Sequence, residues 1–536
     1  MSEPVTPHVA PSAGPREPPS VGPREPVLQT LEYWAQERPE AVSVAEAESG
    51  RTLTFAERNT RADRLAAALA RRGVAAGDIV VVRIHNRLEW AIVASALAKL
   101  GARLLGMNFR LTAPEVKFVL NDSGSVAVIC DDADPAALLP AFEGATLKAA
   151  VSIDADAQGF ERFDALLAEG GDARFFSAAD AQMVIYTSGT TGLPKGVTKE
   201  LKRDTITLEY LADVRDRRSG GADSVYLVTM PMHHGSGPAQ MFGAARIGAK
   251  AVMVRRYEPL VVLEAIAQHR VTHWTGVPTM YKRMAGLPPE VVAAHDRSSI
   301  TALSVGAAPV SDGLKAWIIE HLGDCLSEGY GSTETGMIST MPPELQRKKP
   351  GSSGRLYRHV KVEIRDTDGA NLPVGETGEI WVWTPMNIDR YLNASPLGPD
   401  TLDARGFFRT GDVGRVDAEG FLYISDRAKD MVIVGGANVY PAEIEHALVA
   451  HPAVMDAAVI GIPDDEMGER VLAFCELKPG RHATPDDLLA HCASSLATYK
   501  RPREVRIVGE LPRNTVGKLL KRDLRAPFWK DKERKV

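Results

Sequence analysis

The sequence predicts an α/β protein built from several domains, and three observations carry that prediction. At 536 residues the chain exceeds what one hydrophobic core ordinarily holds. From Leu28 onward, helix-period and strand-like segments alternate, which implies largely parallel sheets covered by helices. After about Gly351 the pattern changes to short strands and Gly-rich turns. A smaller β-rich subdomain is therefore expected over about 352–427, followed by a final α+β unit from Ala428.

Each element has a local reason. Arg58 to Arg72 places Ala and Leu on one helical face. Asp78 to Ile84 is a nearly continuous apolar run, as in a buried strand. Glu89 to Leu100 reads as a helix and Val126 to Cys130 as a strand. The same rhythm returns at Ser224–Thr229, Ala251–Val254 and Leu260–His269. Lys361–Ile364 and Glu379–Trp383 are short strands of the β-rich part. The last unit carries strands at Met431–Val434 and Ala457–Ile460 and a helix from Pro441 to Ala450, where Pro at the first turn sacrifices no hydrogen bond.

Composition excludes several classes. The 63 basic and 69 acidic residues give a net charge of −6, which offers no electrostatic reason for a nucleic-acid partner. Cys130, Cys325, Cys475 and Cys492 are far apart and lack metal-ligand spacing, so reduced thiols in a cytoplasmic protein are expected. No apolar run is long enough to cross a bilayer, and the N-terminus lacks a signal-peptide centre. Residues 1–26 hold eight prolines and repeat Gly-Pro-Arg-Glu-Pro, which reads as a disordered tail.

The most informative stretch runs from Tyr186 to Val197. It contains Thr187, Ser188, Gly189, Thr190, Thr191, Gly192 and Lys195. Glycines let the backbone turn tightly and bring N–H groups close to an anion. The hydroxyls and the lysine add donors and positive charge suited to phosphate oxygens. Met183-Val184-Ile185 enters the loop as a strand. The string is not the common P-loop, because Pro194 precedes the lysine and Gly196 follows it. It resembles the phosphate loop of the adenylate-forming superfamily, which includes acyl-CoA synthetases, firefly-luciferase-like enzymes and peptide-synthetase adenylation domains.

Further segments strengthen that resemblance. Glu328-Gly329-Tyr330-Gly331-Ser332-Thr333-Glu334 is similar to the family's adenine and metal segment. There Tyr330 lays its ring on a base, Thr333 bonds a phosphate oxygen, and Glu334 supplies a hard oxygen ligand for Mg²⁺. Gly306-Ala307-Ala308-Pro309 resembles the turn beside the adenine and the substrate carboxylate. Asp412 matches the aspartate that accepts the ribose hydroxyls, Arg427 the arginine that contacts ribose, and Ile424 falls among the nucleotide-binding positions. Lys429 sits at the family's hinge. Gly435, Gly436 and Ala437 match a loop near the pantetheine path of coenzyme A. Pro512 to Lys518 resembles the catalytic lysine loop, with Lys518 acting in the first half-reaction.

The resemblance implies a large domain over 27–427 of stacked α/β sheets with its β-rich part, and a small mobile α+β lid over 428–536. It implies ATP and Mg²⁺ as cofactors, an acyl-adenylate intermediate, and coenzyme A as co-substrate. His234 matches a histidine bordering the acid pocket in acyl- and aryl-CoA ligases; a hydrogen-bonded core histidine is the alternative. His233 replaces the Phe or Tyr of many relatives. Trp274, Gly276, Val277, Gly306, Ala307 and Met337 are further pocket candidates, and their mostly small size favours a sizeable apolar acid, aromatic, medium-chain or polycyclic. No carboxylate lies in Pro231–Gly237 to pair a substrate ammonium, so an amino acid is disfavoured. Thr198-Lys199 departs from the Ser-His or Thr-His of many relatives. The sequence runs 18 residues past Lys518, which makes a soluble thiol the expected acceptor. Loading of a separate acyl-carrier protein stays open, as does a non-catalytic binding protein of the same fold. Dimers occur in the family, but no dimer interface is legible here.

Overall fold

The computed structural model describes residues 30–172, 174–175, 182–188, 194–199, 202, 204–217, 220–308, 310–435, 437–514 and 517–530. The Pro-rich segment 1–26 lies outside them. The chain forms two compact units. The first comprises Met1–Lys202, Arg218–Thr275 and Ile388–Leu397; the second comprises Arg203–Arg217, Gly276–Asn387 and Gly398–Val536. The boundary expected between residues 427 and 428 falls inside the second unit.

In the first unit, one sheet orders its strands Glu161–Arg162, Ala149–Ser152, Ala127–Cys130, Ile79–Arg83, Arg103–Gly106, Met183–Ser188 and Pro194–Thr198. All neighbours are parallel except the last pair, a hairpin in which Thr187 faces Lys195. A second run pairs Thr52–Thr54, Val42–Glu46, Lys250–Met253 and Val225–Val228. The helix Phe55–Arg71 starts at Thr54, whose side chain and Glu57 form a reciprocal capping box. Its apolar face and the helix Leu88–Leu100 enclose the main core with Val80, Val82 and Trp90. Arg58 is fully enclosed and spends its donors on Ser95 and Ser43. Burial lowers its pKa to about 10, and the hydroxyl partners keep the site polar.

The second unit carries a mostly antiparallel run: Lys361–Arg365, Gly378–Trp383, Phe408–Val416, Phe421–Arg427, Gly354–Leu356, Gly336–Met341 and Leu326–Ser332. Ala302–Gly306 adds to Leu326–Ser332 in parallel. A separate sheet orders Ala437–Val439, Val432–Val434, Gly468–Leu477 and Val454–Asp464, with Glu504–Val508 parallel to Gly468–Leu477. Ile444 and Leu448 from the helix Pro441–Val449, and Leu488 and Cys492 from Pro485–Ser495, complete its core. This sheet and its helices are called the C-terminal lobe below.

The expected elements are present with small shifts at their ends. What the sequence did not reveal is the exchange of segments. Residues 203–217 join the second unit and 388–397 join the first. All four cysteines are free thiols, as expected, and burial pushes Cys130 and Cys475 up to about 12. Among the described residues, no helix is long and apolar enough to cross a membrane.

Trp90 is wholly buried and packs at 5.8 Å from Phe242. Its indole N–H has no hydrogen-bond partner among the described residues. Trp90→Ala is expected to cost about 3–5 kcal/mol through the cavity it leaves. Trp90→Phe should cost far less, because no bond to the indole nitrogen is lost. Equal urea midpoints for the alanine variant and wild type would refute this packing assignment.

Candidate active site

The nucleotide-binding candidates divide between the two units. In the first, the strands Met183–Ser188 and Pro194–Thr198, on either side of the expected phosphate loop in sequence, pair antiparallel. Gly189, Thr190, Thr191 and Gly192 lie outside the described residues. Tyr186 donates its hydroxyl to Asp122 (2.6 Å), fixing the entering strand. The Lys195 ammonium lies 5.0 Å from the centroid of the Tyr391 ring. The Leu392 N–H donates to Gly196 O at 2.7 Å, so 388–397 braces the exit of the loop. Tyr391 had no signal in the sequence; only folding brings it to Lys195.

His233 and His234 follow the strand Val225–Val228. His234 Nδ1 lies 3.1 Å from Ser236 Oγ. The His233 ring meets Phe109 edge-on at 5.8 Å, and Phe109 stacks on His85 at 3.9 Å. Burial lowers the His233 pKa to about 3, with repulsion from His234, Arg110, His85 and Arg83 adding to it. His233 is therefore a neutral aromatic at physiological pH. Trp274 is a core residue that donates its Nε1–H to Thr229 Oγ1 (3.0 Å).

In the second unit, Asp412 is the centre. It is buried, with Oδ2 accepting from the Tyr330 hydroxyl (2.6 Å) and Oδ1 lying 2.6 Å from Arg427 Nε. Asp412 and Arg427 face each other across the pair Phe408–Val416 and Phe421–Arg427, and Ile424 pairs with Gly414 there. Burial and then the Asp412 charge raise the Tyr330 pKa well above its ordinary value, so the phenol stays a donor. The expected adenine, ribose and arginine residues thus form one cluster.

The remaining residues refine the expectations. The Glu328 carboxylate is buried 2.6 Å from Lys315 Nζ, and its carbonyl accepts from Thr340, so both polar groups are already engaged within the protein. Ser332 Oγ accepts from the Thr335 N–H (3.1 Å), closing the turn that presents Thr333 and Glu334. Among the described residues no three His, Cys, Asp or Glu side chains gather as a metal site. A single carboxylate such as Glu334 fits Mg²⁺ held mainly by phosphates and water. Gly306 lies so close to Gly329 that a Cβ would sit 2.6 Å from its carbonyl oxygen. Ala307 has φ +67°, a strained conformation of the kind found where backbone is aimed at a ligand. Tyr210 clamps Met337: its hydroxyl donates to Met337 O and accepts from Met337 N, both at 2.8 Å.

The C-terminal lobe contributes Lys518. Asn514 Oδ1 accepts from the Lys518 N–H, and the Asn514 N–H donates to Lys518 O, each at 2.9 Å. Thr515 and Val516 lie outside the described residues. The Lys518 pKa is lowered to about 8, first by desolvation and then by repulsion from Arg427 and Lys429, against attraction from Asp412 and Asp430. Lys518 is exposed, and the charges of Asp412 and Arg427 act on it. Lys429 lies in the turn Ala428–Asp430, where its carbonyl accepts from Arg525 (3.4 Å). The Gly435 N–H donates to Met467 O (2.9 Å), while Gly436 lies outside the described residues. Beside Gly435 is a cavity of about 370 Å³ whose lining mixes Arg470, Arg501 and Arg503 with Asp464, Glu466 and Tyr499. Sequence reasoning passed over these residues, although the aromatic–basic run Tyr499-Lys500-Arg501-Pro502-Arg503 was a usable signal.

The fold and these clusters define a nucleotide-dependent enzyme, and comparison makes the class definite. The chain matches the AMP-binding enzyme family over residues 31–392 and the AMP-binding enzyme C-terminal domain over 443–518. It belongs to this family, the adenylate-forming superfamily that its motifs resemble. It is 33% identical over 523 residues to the fatty acid–[acyl-carrier-protein] ligase ScoC of Streptomyces coeruleorubidus, covering 95% of this chain and 98% of that protein. It is also 33% identical to the long-chain-fatty-acid–CoA ligase FadD13 of Mycobacterium tuberculosis, covering 89% and 93%. Among solved structures, it resembles O-succinylbenzoate coenzyme A synthetase (MenE) from Bacillus subtilis in complex with ATP and magnesium ion. The TM-score is 0.76 at 30% identity, over 92% of this chain and 98% of that one.

Asp412→Asn keeps the shape of the carboxylate and removes the charge that Arg427 and Tyr330 share. AMP affinity measured by calorimetry is expected to fall at least about tenfold, the scale of a lost charge-assisted hydrogen bond. Unchanged affinity in a folded variant would remove Asp412 from the nucleotide site.

Proposed function

We propose that this protein is an AMP-forming carboxylic acid:CoA ligase that works through an acyl-adenylate. The observation that supports the reading best is the buried Asp412–Arg427–Tyr330 cluster, whose charges act on Lys518 of the C-terminal lobe. A carboxylate is a poor acyl donor because its leaving group would be oxide; joining it to AMP corrects this. In the first step a carboxylate oxygen attacks the α-phosphorus of ATP and pyrophosphate leaves. Two anions must meet, so cationic donors are needed where charge builds. Lys518 would bridge carboxylate and α-phosphate, and Thr187, Ser188, Thr190, Thr191 and Lys195 would hold the outer phosphates. Mg²⁺ beside Glu334 would neutralise phosphate charge. Asp412 and Arg427 would hold ribose, with Tyr330 and the Gly306–Ala307 backbone beside adenine.

In the second step a thiol attacks the acyl-adenylate carbonyl and AMP leaves. The arginines Arg470, Arg501 and Arg503 suit the phosphates of coenzyme A, next to the Gly435–Ala437 loop. Residues 428–536 would act as a lid that turns about Lys429 between the steps. For the acid, the neutral ring of His233 and the names of ScoC and FadD13 support a sizeable apolar chain. The ScoC name also favours a second reading, transfer to a separate acyl-carrier protein. Incubation with MgATP and an acid panel, with and without coenzyme A, separates the readings. Acyl-CoA supports the ligase, acid-dependent pyrophosphate without acyl-CoA supports carrier loading, and neither product supports a binding protein.

Lys518→Ala is expected to slow adenylation by about 100- to 1,000-fold while sparing thioester formation from supplied acyl-adenylate. Equal loss of both steps in a folded variant would refute the assigned role. The pH dependence has a definite sign. Phosphate anions favour the ammonium, so ATP binding should raise the Lys518 pKa above about 8 and take up a proton. Affinity is then full below pH 8 and declines as pH rises through about 8 towards the bound-state value. Lys518→Met should flatten that decline; an identical slope in the variant would assign it to another group.

A further inference from the structure

The Lys518 loop depends on a contact that its own motif does not reveal. Arg513 Nη1 donates to Gly517 O (3.2 Å), and its Nη2 donates to Asp456 Oδ2 (2.6 Å). The other carboxylate oxygen, Oδ1, accepts from Lys282 Nζ. Asp456 begins the long hairpin of the C-terminal lobe, whereas Lys282 lies on the helix Pro278–Ala285, outside the lobe. The same helix touches the loop directly: a Cβ on Gly517 would sit 2.1 Å from Thr279 Oγ1, and the backbone there has φ +76°. Glycine is needed on both counts, for the left-handed backbone and for the close approach.

The charges are placed to make this contact selective. The Asp456 side chain is only 8% exposed, and those of Lys282 and Arg513 are 16% and 19% exposed. Burial raises the Asp456 pKa, but Lys282 and Arg513 outweigh it and hold the carboxyl below its usual range. Two cations on one buried carboxylate add little net stability but strongly penalise arrangements that separate them. One cation comes with the lobe and the other from the helix, so the carboxylate is fully matched only when loop and helix are docked.

We propose that Lys282, Asp456 and Arg513 are positioning residues, an ion-paired clamp that seats the Lys518 loop on the helix Pro278–Ala285 for adenylation. The inference rests on the two-step ligase reading above. Thioester formation does not need Lys518 in that seat, so the clamp serves one step and not the other.

The test uses the full-length enzyme. Lys282→Met leaves the Asp456–Arg513 pair within the lobe intact. Acid-dependent ATP–pyrophosphate exchange is expected to fall at least about tenfold, while thioester formation from supplied acyl-adenylate stays within about twofold. Lys282→Arg, which keeps the charge, should restore exchange. Without nucleotide, hydrogen exchange in peptides covering 513–518 and 278–285 should quicken in Lys282→Met, with the hairpin Val454–Asp464 and Gly468–Leu477 unchanged. Equal loss of both half-reactions, failure of Lys282→Arg to restore exchange, or unaltered hydrogen exchange would overturn the clamp. Asp456→Asn should give the same split; if it unfolds the hairpin, Lys282→Met decides. A wild-type enzyme without acid-dependent exchange would sink the ligase reading instead, and the hydrogen-exchange comparison would still decide whether the clamp holds the loop.

Discussion

A single buried carboxylate organises the second unit. Asp412 gathers the Tyr330 hydroxyl and the Arg427 guanidinium, and the charge field they create extends to Lys518. A carboxylate so deeply placed would be costly without partners, and the two donors remove that cost. They also fix geometry. Tyr330 arrives on the strand Leu326–Ser332 and Arg427 at the end of Phe421–Arg427, so three distant segments are held in register. The strain at Ala307 and the close approach of Gly306 to Gly329 lie on the neighbouring strand, where backbone rather than side chain is presented.

The same logic, charge satisfied by charge at partly dry positions, recurs through this unit. Lys315 answers Glu328, Lys521 answers Glu445, and Arg525 answers Asp430 beside Lys429. Such pairs are weak sources of stability, since desolvation consumes most of the attraction. They are strong sources of specificity, because a mispositioned partner leaves an uncompensated ion. Arg525, after Lys518, pairs with Asp430 of the turn Ala428–Asp430, and Gly517, before it, lies against Thr279 of the helix Pro278–Ala285. The first unit solves a different problem. The strands of its hairpin are held by Tyr186–Asp122 and by the segment carrying Tyr391 and Leu392.

The chemistry was more legible in the sequence than its supports. Thr187 to Lys195, Tyr330, Asp412, Arg427 and Lys518 stand in local strings whose residue types are those that, under the function proposed above, a phosphate, a ribose or a developing negative charge would require. Their partners carry no such signature. Tyr391, Tyr210, Lys282 and Asp456 are ordinary residues in ordinary contexts, and they matter only because the chain returns to them from far away. Glu328 is the converse case: the motif includes it, yet folding directs its carboxylate to Lys315. His233 is a third kind. The sequence presents a titratable ring, and burial among cations makes it a neutral aromatic surface.

Local pattern determined the alternation of helices and strands, the capping box at Thr54, the family, and the polar groups available for chemistry. These depend on neighbours within a few residues, where periodicity and side-chain type are sufficient. Tertiary structure alone decided the exchange of 203–217 and 388–397 between units, the convergence of Tyr330 and Arg427 on Asp412, and the docking of the Lys518 loop on Thr279. Those outcomes depend on which buried charges and close backbone approaches can be satisfied together in three dimensions. No window along the chain contains that information.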